Sequence, residues 1–203
     1  LGGGRIIIKK MTAILANGRI TPQCAGLYSD QQEEAWRAIT DFVHTRSSAK
    51  IALQLGHAGP RASTCPPHLG LNLPLDKNGW PTIAASSTQV WPGCPTPRAL
   101  SESEMSSILE AYKRSAIRAD RAEFDMLELH AAHGYLLASF LSPLLNKRED
   151  QFGGTLRDRL RFPLQVFEAI RSVWPATKPI SVRLSATDWA VGGLDVDEAV
   201  EIA

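Results

Sequence analysis

The 203-residue sequence is poor in cysteine. Cys24, Cys65 and Cys94 are odd in number and widely spaced, with no CxxC, which argues against a disulfide framework or a zinc knuckle. Such usage makes a reducing cytoplasm the default expectation. Surplus charge is also missing: 22 basic side chains against 21 acidic ones leave a formal net charge of +1. No strong field therefore draws the chain towards nucleic acid or a membrane surface. No apolar run approaches the roughly 20 residues that a membrane helix needs, and no basic-then-apolar leader opens the sequence. The length suits one domain, and a hydrophobic content of 44% suits a globular core.

The ends also lack something. Leu1-Gly2-Gly3-Gly4 opens without methionine and leads straight into a strand, and Ala203 falls inside a helical pattern with no glycine cap. The expectation is a fragment, or a chain whose partner halves lie elsewhere.

What is present is an alternation of strands and helices. Arg5 to Ile14 reads as a strand buried on both faces, because three isoleucines in a row are β-branched, with Lys9 and Lys10 near its carboxyl end. After the Asn17-Gly18 turn, Ser29 or Asp30 caps a helix whose apolar side is Trp36, Ile39 and Val43. Lys50 to Leu55 is the next strand. Residues 59–100 hold eight of the 13 prolines, and a structureless loop of that length is uncommon without a function, so a lid or substrate-facing excursion is expected. Ser101 with Glu104 forms a capping box before a helical stripe of Met105, Ile108, Leu109, Tyr112 and Ala116. Phe124 to Leu129 is a buried strand. Thr155 opens a helix through about Val173 with Leu160, Leu164, Phe167 and Ile170 inward, and Pro163 is expected to kink or split it. Ile180 to Leu184 is a fourth strand, and Asp195 starts a last helix. Four βα units argue for a parallel sheet; the pattern alone allows an open α/β sheet.

The chemistry gathers after the third strand, where His130, His133 and Tyr135 fall within six residues. Two imidazoles can donate hydrogen bonds to one oxygen, and a phenol nearby can supply a proton. The plainer reading is two histidines that satisfy backbone groups and a tyrosine with a wet hydroxyl. A metal-ligating HxxH is a further reading, but it lacks a third ligand, since Glu128 is expected to point the other way on its strand. Gln54 closes one strand. Arg183 lies within another, where an unpaired charge is costly.

Four motifs in order, NGRIT (17–21), IALQLGHAG (51–59), HAAHGYL with FLSPLLNKRED and FGG (130–154), and ISVRLSATDW (180–189), resemble the old yellow enzyme family. The likeness is to flavin-dependent ene-reductases of the branch with a QLGHAG-type loop, which includes reductase domains fused to aromatic acyl-CoA hydroxylases. The resemblance covers nearly the whole chain. It implies a partial TIM (β/α)8 barrel of about four units, strands 2–5, with a long loop after the second of these. The barrel's first strand and carboxyl-terminal half would lie outside this stretch, so the 203 residues alone would hold a flavin poorly.

The same resemblance implies FMN as cofactor, NAD(P)H as reductant and an α,β-unsaturated carbonyl or acyl-CoA-type substrate. In it His130 and His133 bind the substrate carbonyl oxygen and stabilise the charge that develops there; one such donor is worth on the order of 3 kcal/mol in acyl-transfer enzymes. Tyr135 delivers the proton to the α-carbon. Gln54 meets the flavin pyrimidine ring, Arg183 sits beside flavin N1, and the backbone of Met11 and Thr12 meets the flavin. Arg148, Asp150, Gly153 and Gly154 shape a loop through an ion pair and two permissive backbone positions. The sequence departs from the family at Pro60-Arg61, where a basic pair is expected. A metal-dependent hydrolase using His130 and His133 and a non-catalytic remnant without flavin stay open as alternatives, as do a homo-oligomer and a place in a larger fused chain.

Overall fold

The computed structural model describes residues 5–203; Leu1-Gly2-Gly3-Gly4 and their expected entry into a strand lie outside the described residues. The order is β1 (Ile6–Ala13), α1 (Asp30–Arg46), β2 (Lys50–Gly56), the short strands β3 (Ile83–Ala84) and β4 (Arg98–Ala99), α2 (Glu102–Arg121), β5 (Met126–Ala131), α3 (Leu136–Leu141), α4 (Leu156–Arg171), β6 (Ile180–Leu184) and α5 (Val196–Ile202). The main sheet runs β1-β2-β5-β6, with every neighbouring pair parallel. One face packs leucines of β2 and β5 against the helices; the other carries the polar side chains described below.

Several local readings hold. Ser29 caps α1 through a capping box with Gln32, and Ser101 caps α2 through one with Glu104. Met105, Ile108, Tyr112 and Ala116 are buried along α2, with Leu109 at the edge of the stripe. The aromatic centre of this layer is Trp36 edge-on to Phe124 at 5.7 Å, with the indole N–H donating to Gly26 O.

Other readings need correction. β1 is not buried on both faces: Ile6 and Ile8 are 46% and 48% exposed, because among the described residues β1 pairs only with β2 and these two side chains leave the helical side, where Ile7 packs. On α1, Ile39 is exposed and Thr40 takes its place inside, its hydroxyl donating to Ala122 O at 2.6 Å. α4 is not split at Pro163, since helical bonding continues on both sides and the proline packs inward between Phe162 and Val166. The inward stripe of α4 is Phe162, Val166 and Ile170, at four-residue steps, which leaves Leu164 exposed. The chain after β5 is not simply a loop, since α3 forms there with all six residues buried.

Residues 59–100 are likewise not structureless. They contain two 3₁₀ turns, Gly59–Arg61 and Pro67–Leu69, and the β3/β4 parallel ladder. The segment is fastened at many points: Ala85 N–H donates to Ser139 Oγ at 3.1 Å, and Trp80 Nε1 to Asn17 O at 2.8 Å. Arg148 is its main anchor. One guanidinium nitrogen donates to both Ala85 O (2.9 Å) and Leu100 O (2.7 Å), and the other two hold Asp150. The hydrogen bonds from Arg148 in turn keep the Asp150 carboxyl below its usual range.

In the natural protein carrying this chain, Arg148→Met should lower unfolding stability by about 2–4 kcal/mol, because two carbonyls and a carboxylate lose their donor together. A urea titration that gives an unchanged midpoint would contradict this anchoring role.

Candidate active site

Parallel strands bring their carboxyl ends to one edge, and the register decides which side chains meet there. Gln54 lies opposite Glu128, and His130 opposite Arg183. A cavity of about 350 Å³ opens on this edge. It is lined by Met11 of β1, Gln54 of β2, Glu128 and His130 of β5, His133 and Tyr135 beyond β5, and Arg183 of β6, together with Ile8, Lys9, Lys10 and Ile20. β1, β2 and β5 can pack this closely because Gly56 has no side chain: a Cβ there would stand 2.9 Å from Met11 Cγ and 3.2 Å from His130 Cβ.

The turn after β5 is wound left-handed at two successive residues, His133 (φ 60°) and Gly134 (φ 67°). Glycine adopts this freely, whereas a histidine there is strained and must be held. His133 is held from three sides: its N–H donates to Ser185 Oγ at 3.0 Å, its carbonyl accepts from Arg61 at 3.2 Å, and its ring meets His130. The guanidinium of Arg61 also donates to Asn72 Oδ1 and lies 5.2 Å from the Trp91 ring, so the excursion itself clamps the turn.

Hydrogen bonding fixes the tautomers of the imidazole pair. Ala132 N–H donates to His130 Nδ1 at 3.3 Å, so the proton of neutral His130 resides on Nε2. That Nε2 lies 3.1 Å from His133 Nδ1 and donates to it, which places the His133 proton on its own Nε2. Both rings stay neutral near pH 7. Burial, then His133 and Arg183, lower His130 to about 4; burial, then Arg183 and Arg61, lower His133. One imidazole N–H is thus free and the other is engaged within the pair.

Tyr135 stands as the N-cap of α3, its ring 4.6 Å from that of His130. Burial raises its phenol pKa, which keeps the proton on at neutral pH. The phenol belongs to a small apolar cluster with Met11, Ala58, Ala62, Ile20 and Trp80.

The structure thus brings six of the seven expected site residues to one cavity: Tyr135, His130, His133, Gln54, Arg183 and Met11. Thr12 is fully buried off the lining, its hydroxyl turned onto Lys10 O at 3.1 Å. Arg183 is exposed at the cavity rim and not sunk in an apolar strand, because the outermost strand β6 leaves that face open. Glu128 was expected to face away and does not. It shares the inner face with His130 two residues on, as strand alternation requires, and accepts a hydrogen bond from Gln54 Nε2. Even so, no group of three His, Cys, Asp or Glu side chains among the described residues is placed to hold a metal ion. Strand alternation also signals Lys10 beside Ile8, whereas Ile20, a loop residue brought in by the fold, lies in the NGRIT motif but was given no role there. A separate groove over β6 and α4 is lined by apolar side chains alone and offers no chemistry.

Comparison with known proteins bears on the family and the fold. The model of the NADH:flavin oxidoreductase / NADH oxidase family matches residues 1–203. An NADH:flavin oxidoreductase of Gibberella zeae is 43% identical over 192 residues, covering 92% of this chain and 46% of that protein. An NADPH dehydrogenase of Clostridium acetobutylicum is 38% identical over 203 residues, covering 100% and 56%. The structure of morphinone reductase in complex with tetrahydroNAD superposes with a TM-score of 0.81 at 31% identity, over 96% of this chain and 55% of that one. That likeness bears out the expected α/β fold, part of a TIM barrel. The chain spans about half the length of the curated relatives it matches. No helix among the described residues is long and apolar enough to cross a membrane.

His57 lies just behind this site and yields a test. Its ring is 1% exposed against Gly18, Nδ1 accepts from Gly59 N–H at 3.0 Å, and burial lowers its pKa to about 3. Between pH 6.5 and about 3 the unfolded chain binds a proton there that the folded chain refuses, so stability falls as pH falls. Urea unfolding of the natural protein should lose about 1–2 kcal/mol through this group between pH 6.5 and 5, and His57→Gln should remove that share of the loss. An unchanged pH dependence in the variant would show that His57 is not held neutral.

Proposed function

The chain belongs to the NADH:flavin oxidoreductase / NADH oxidase family, and on that premise we propose that the protein carrying it is an FMN-dependent ene-reductase. In this reading NAD(P)H is the reductant, and the substrate is a small molecule with a C=C bond conjugated to a carbonyl, free or in acyl-CoA form. The observation that carries the proposal is the cluster of His130, His133 and Tyr135 on the same cavity as Gln54 and Arg183. With near-balanced charge and three free cysteines, we place the enzyme in the cytoplasm, with no nucleic-acid or membrane partner.

The donor set fits FMN. The buried Gln54 amide suits a ring edge that carries both a carbonyl and an N–H, and Arg183 offers positive charge at the rim to favour a reduced, anionic ring. Met11 supplies an apolar contact from β1. When bound, FMN supplies the hydride that reaches the β-carbon.

The protein's own groups handle the charge and the proton. His133 offers its Nε2–H to the substrate carbonyl oxygen, which grows more negative as the β-carbon is reduced. His130, donating to His133 from behind, fixes that ring's tautomer and strengthens the N–H that His133 offers. Because both imidazoles are neutral, they donate without adding charge that would compete with a nearby cation. Tyr135 transfers its phenol proton to the α-carbon, and solvent restores it. The net result is addition of one hydride and one proton across the C=C bond, with NAD(P)H oxidised to NAD(P)+.

Two variants of the natural protein test this. Tyr135→Phe should leave flavin reduction by NAD(P)H nearly intact and slow reoxidation by an enone by a factor of about 10²–10⁴. Rapid-mixing traces with both half-reactions unchanged would remove Tyr135 as the acid. His130→Ala with His133→Ala should weaken phenolic-ligand binding while flavin stays bound; binding as tight as the parent's would end the carbonyl-binding assignment.

A further inference from the structure

We propose that Glu128 is a positioning residue, one that sets the orientation of the Gln54 amide and so decides which ring edge the cavity accepts. The proposal rests on the flavin reading above, but its cause lies in Glu128, which that reading leaves unused. Gln54 and Glu128 stand directly opposite each other on β2 and β5, and both face the cavity. Gln54 is only 6% exposed, and its Nε2 donates to Glu128 Oε1, the sole side-chain hydrogen bond of Gln54 among the described residues.

A carboxylate accepts and cannot donate, so the pair has one polarity. The amide must turn its NH2 towards Glu128 and its carbonyl oxygen away. Held so, Gln54 shows the cavity Oε1 together with its second N–H. That edge complements a ring on which an N–H lies beside a carbonyl, as on the pyrimidine portion of a flavin. An amide free to rotate would show the reverse pattern half of the time and bind such a ring less well. Any neutral, apolar residue at 128 would release that rotation.

The test is a double-variant cycle in the natural protein, read by FMN affinity through flavin fluorescence quenching. Glu128→Leu should weaken FMN about tenfold, the loss expected for one buried hydrogen bond that no longer finds its partner. Glu128→Gln keeps the volume and the contact while losing the fixed polarity, and should weaken FMN by a smaller factor. In a Gln54→Leu background both changes at 128 should have no further effect. Equal losses in both backgrounds would mean that Glu128 acts independently of Gln54, which overturns the proposal. A flavin-free readout separates this from the functional reading: NMR should find the Gln54 side-chain amide protons slow to exchange in the parent and fast in Glu128→Leu. If the parent binds no FMN, the flavin reading falls while the NMR comparison still decides the positioning role. A parent amide already in fast exchange sinks it outright.

Discussion

The register of the parallel sheet is the constraint on which the rest depends. With Gln54 against Glu128 and His130 against Arg183, side chains distant in sequence reach one edge without any loop having to find them. A slip of one residue along any strand would turn its polar side chains towards the helices and its leucines into the cavity. What prevents the slip is the apolar face: Leu53, Leu55, Leu127 and Leu129 are buried against α1, α2 and α4, and each is worth roughly 1.5–3 kcal/mol of burial. The helices therefore fix the chemistry indirectly, by fixing which way each strand faces.

Against that frame of strands, the histidine turn is the local exception. Left-handed backbone at a non-glycine residue costs of order 1–3 kcal/mol, and His133 bears it directly before Gly134. Ser185, Arg61 and His130 hold it from the segment after β6, from the excursion after β2, and from β5. Three parts of the chain thus converge on one peptide unit. The excursion looks in the sequence like an inserted loop, yet it supplies one of the three restraints, and it does so from within the HAG-Pro-Arg stretch where the family pattern is broken.

Much of this was legible in the sequence, for physical reasons that differ by element. Caps were legible because they are local chemistry: Ser101 with Glu104 was read directly, and the cap of α1 was narrowed to Ser29 or Asp30, of which the structure uses Ser29. That His130, His133 and Tyr135 gather at one edge was legible because they follow a strand at close spacing, whereas their roles came from the family resemblance. Burial at Ile6, Ile8 and Ile39 was not, since it depends on which neighbours cover each face and not on the residue itself. α3 was missed because six residues, five of them apolar, can as well be strand or loop until packing decides. The placement of Glu128 was within reach of strand alternation, and assigning it to the wrong face hid the partner of Gln54.

The strands carry one more sign of function. β2 and β5 read KIALQLG and MLELHA, runs of the kind that fill a core, each interrupted on the inner face. Gln54, Glu128 and His130 sit there with Arg183 in adjoining rows, where apolar side chains would cost nothing in desolvation. Hydrogen bonds among the described residues satisfy only part of this group: Gln54 with Glu128, and His130 with His133 and Ala132. The outward oxygen of Gln54, the free N–H of His133 and the guanidinium of Arg183 keep unused capacity, all aimed at one cavity. A sheet selected for stability alone would have no reason to hold these unspent donors and acceptors together. A ring with a polar edge and a negative charge to stabilise, as in the proposed function, would complete them.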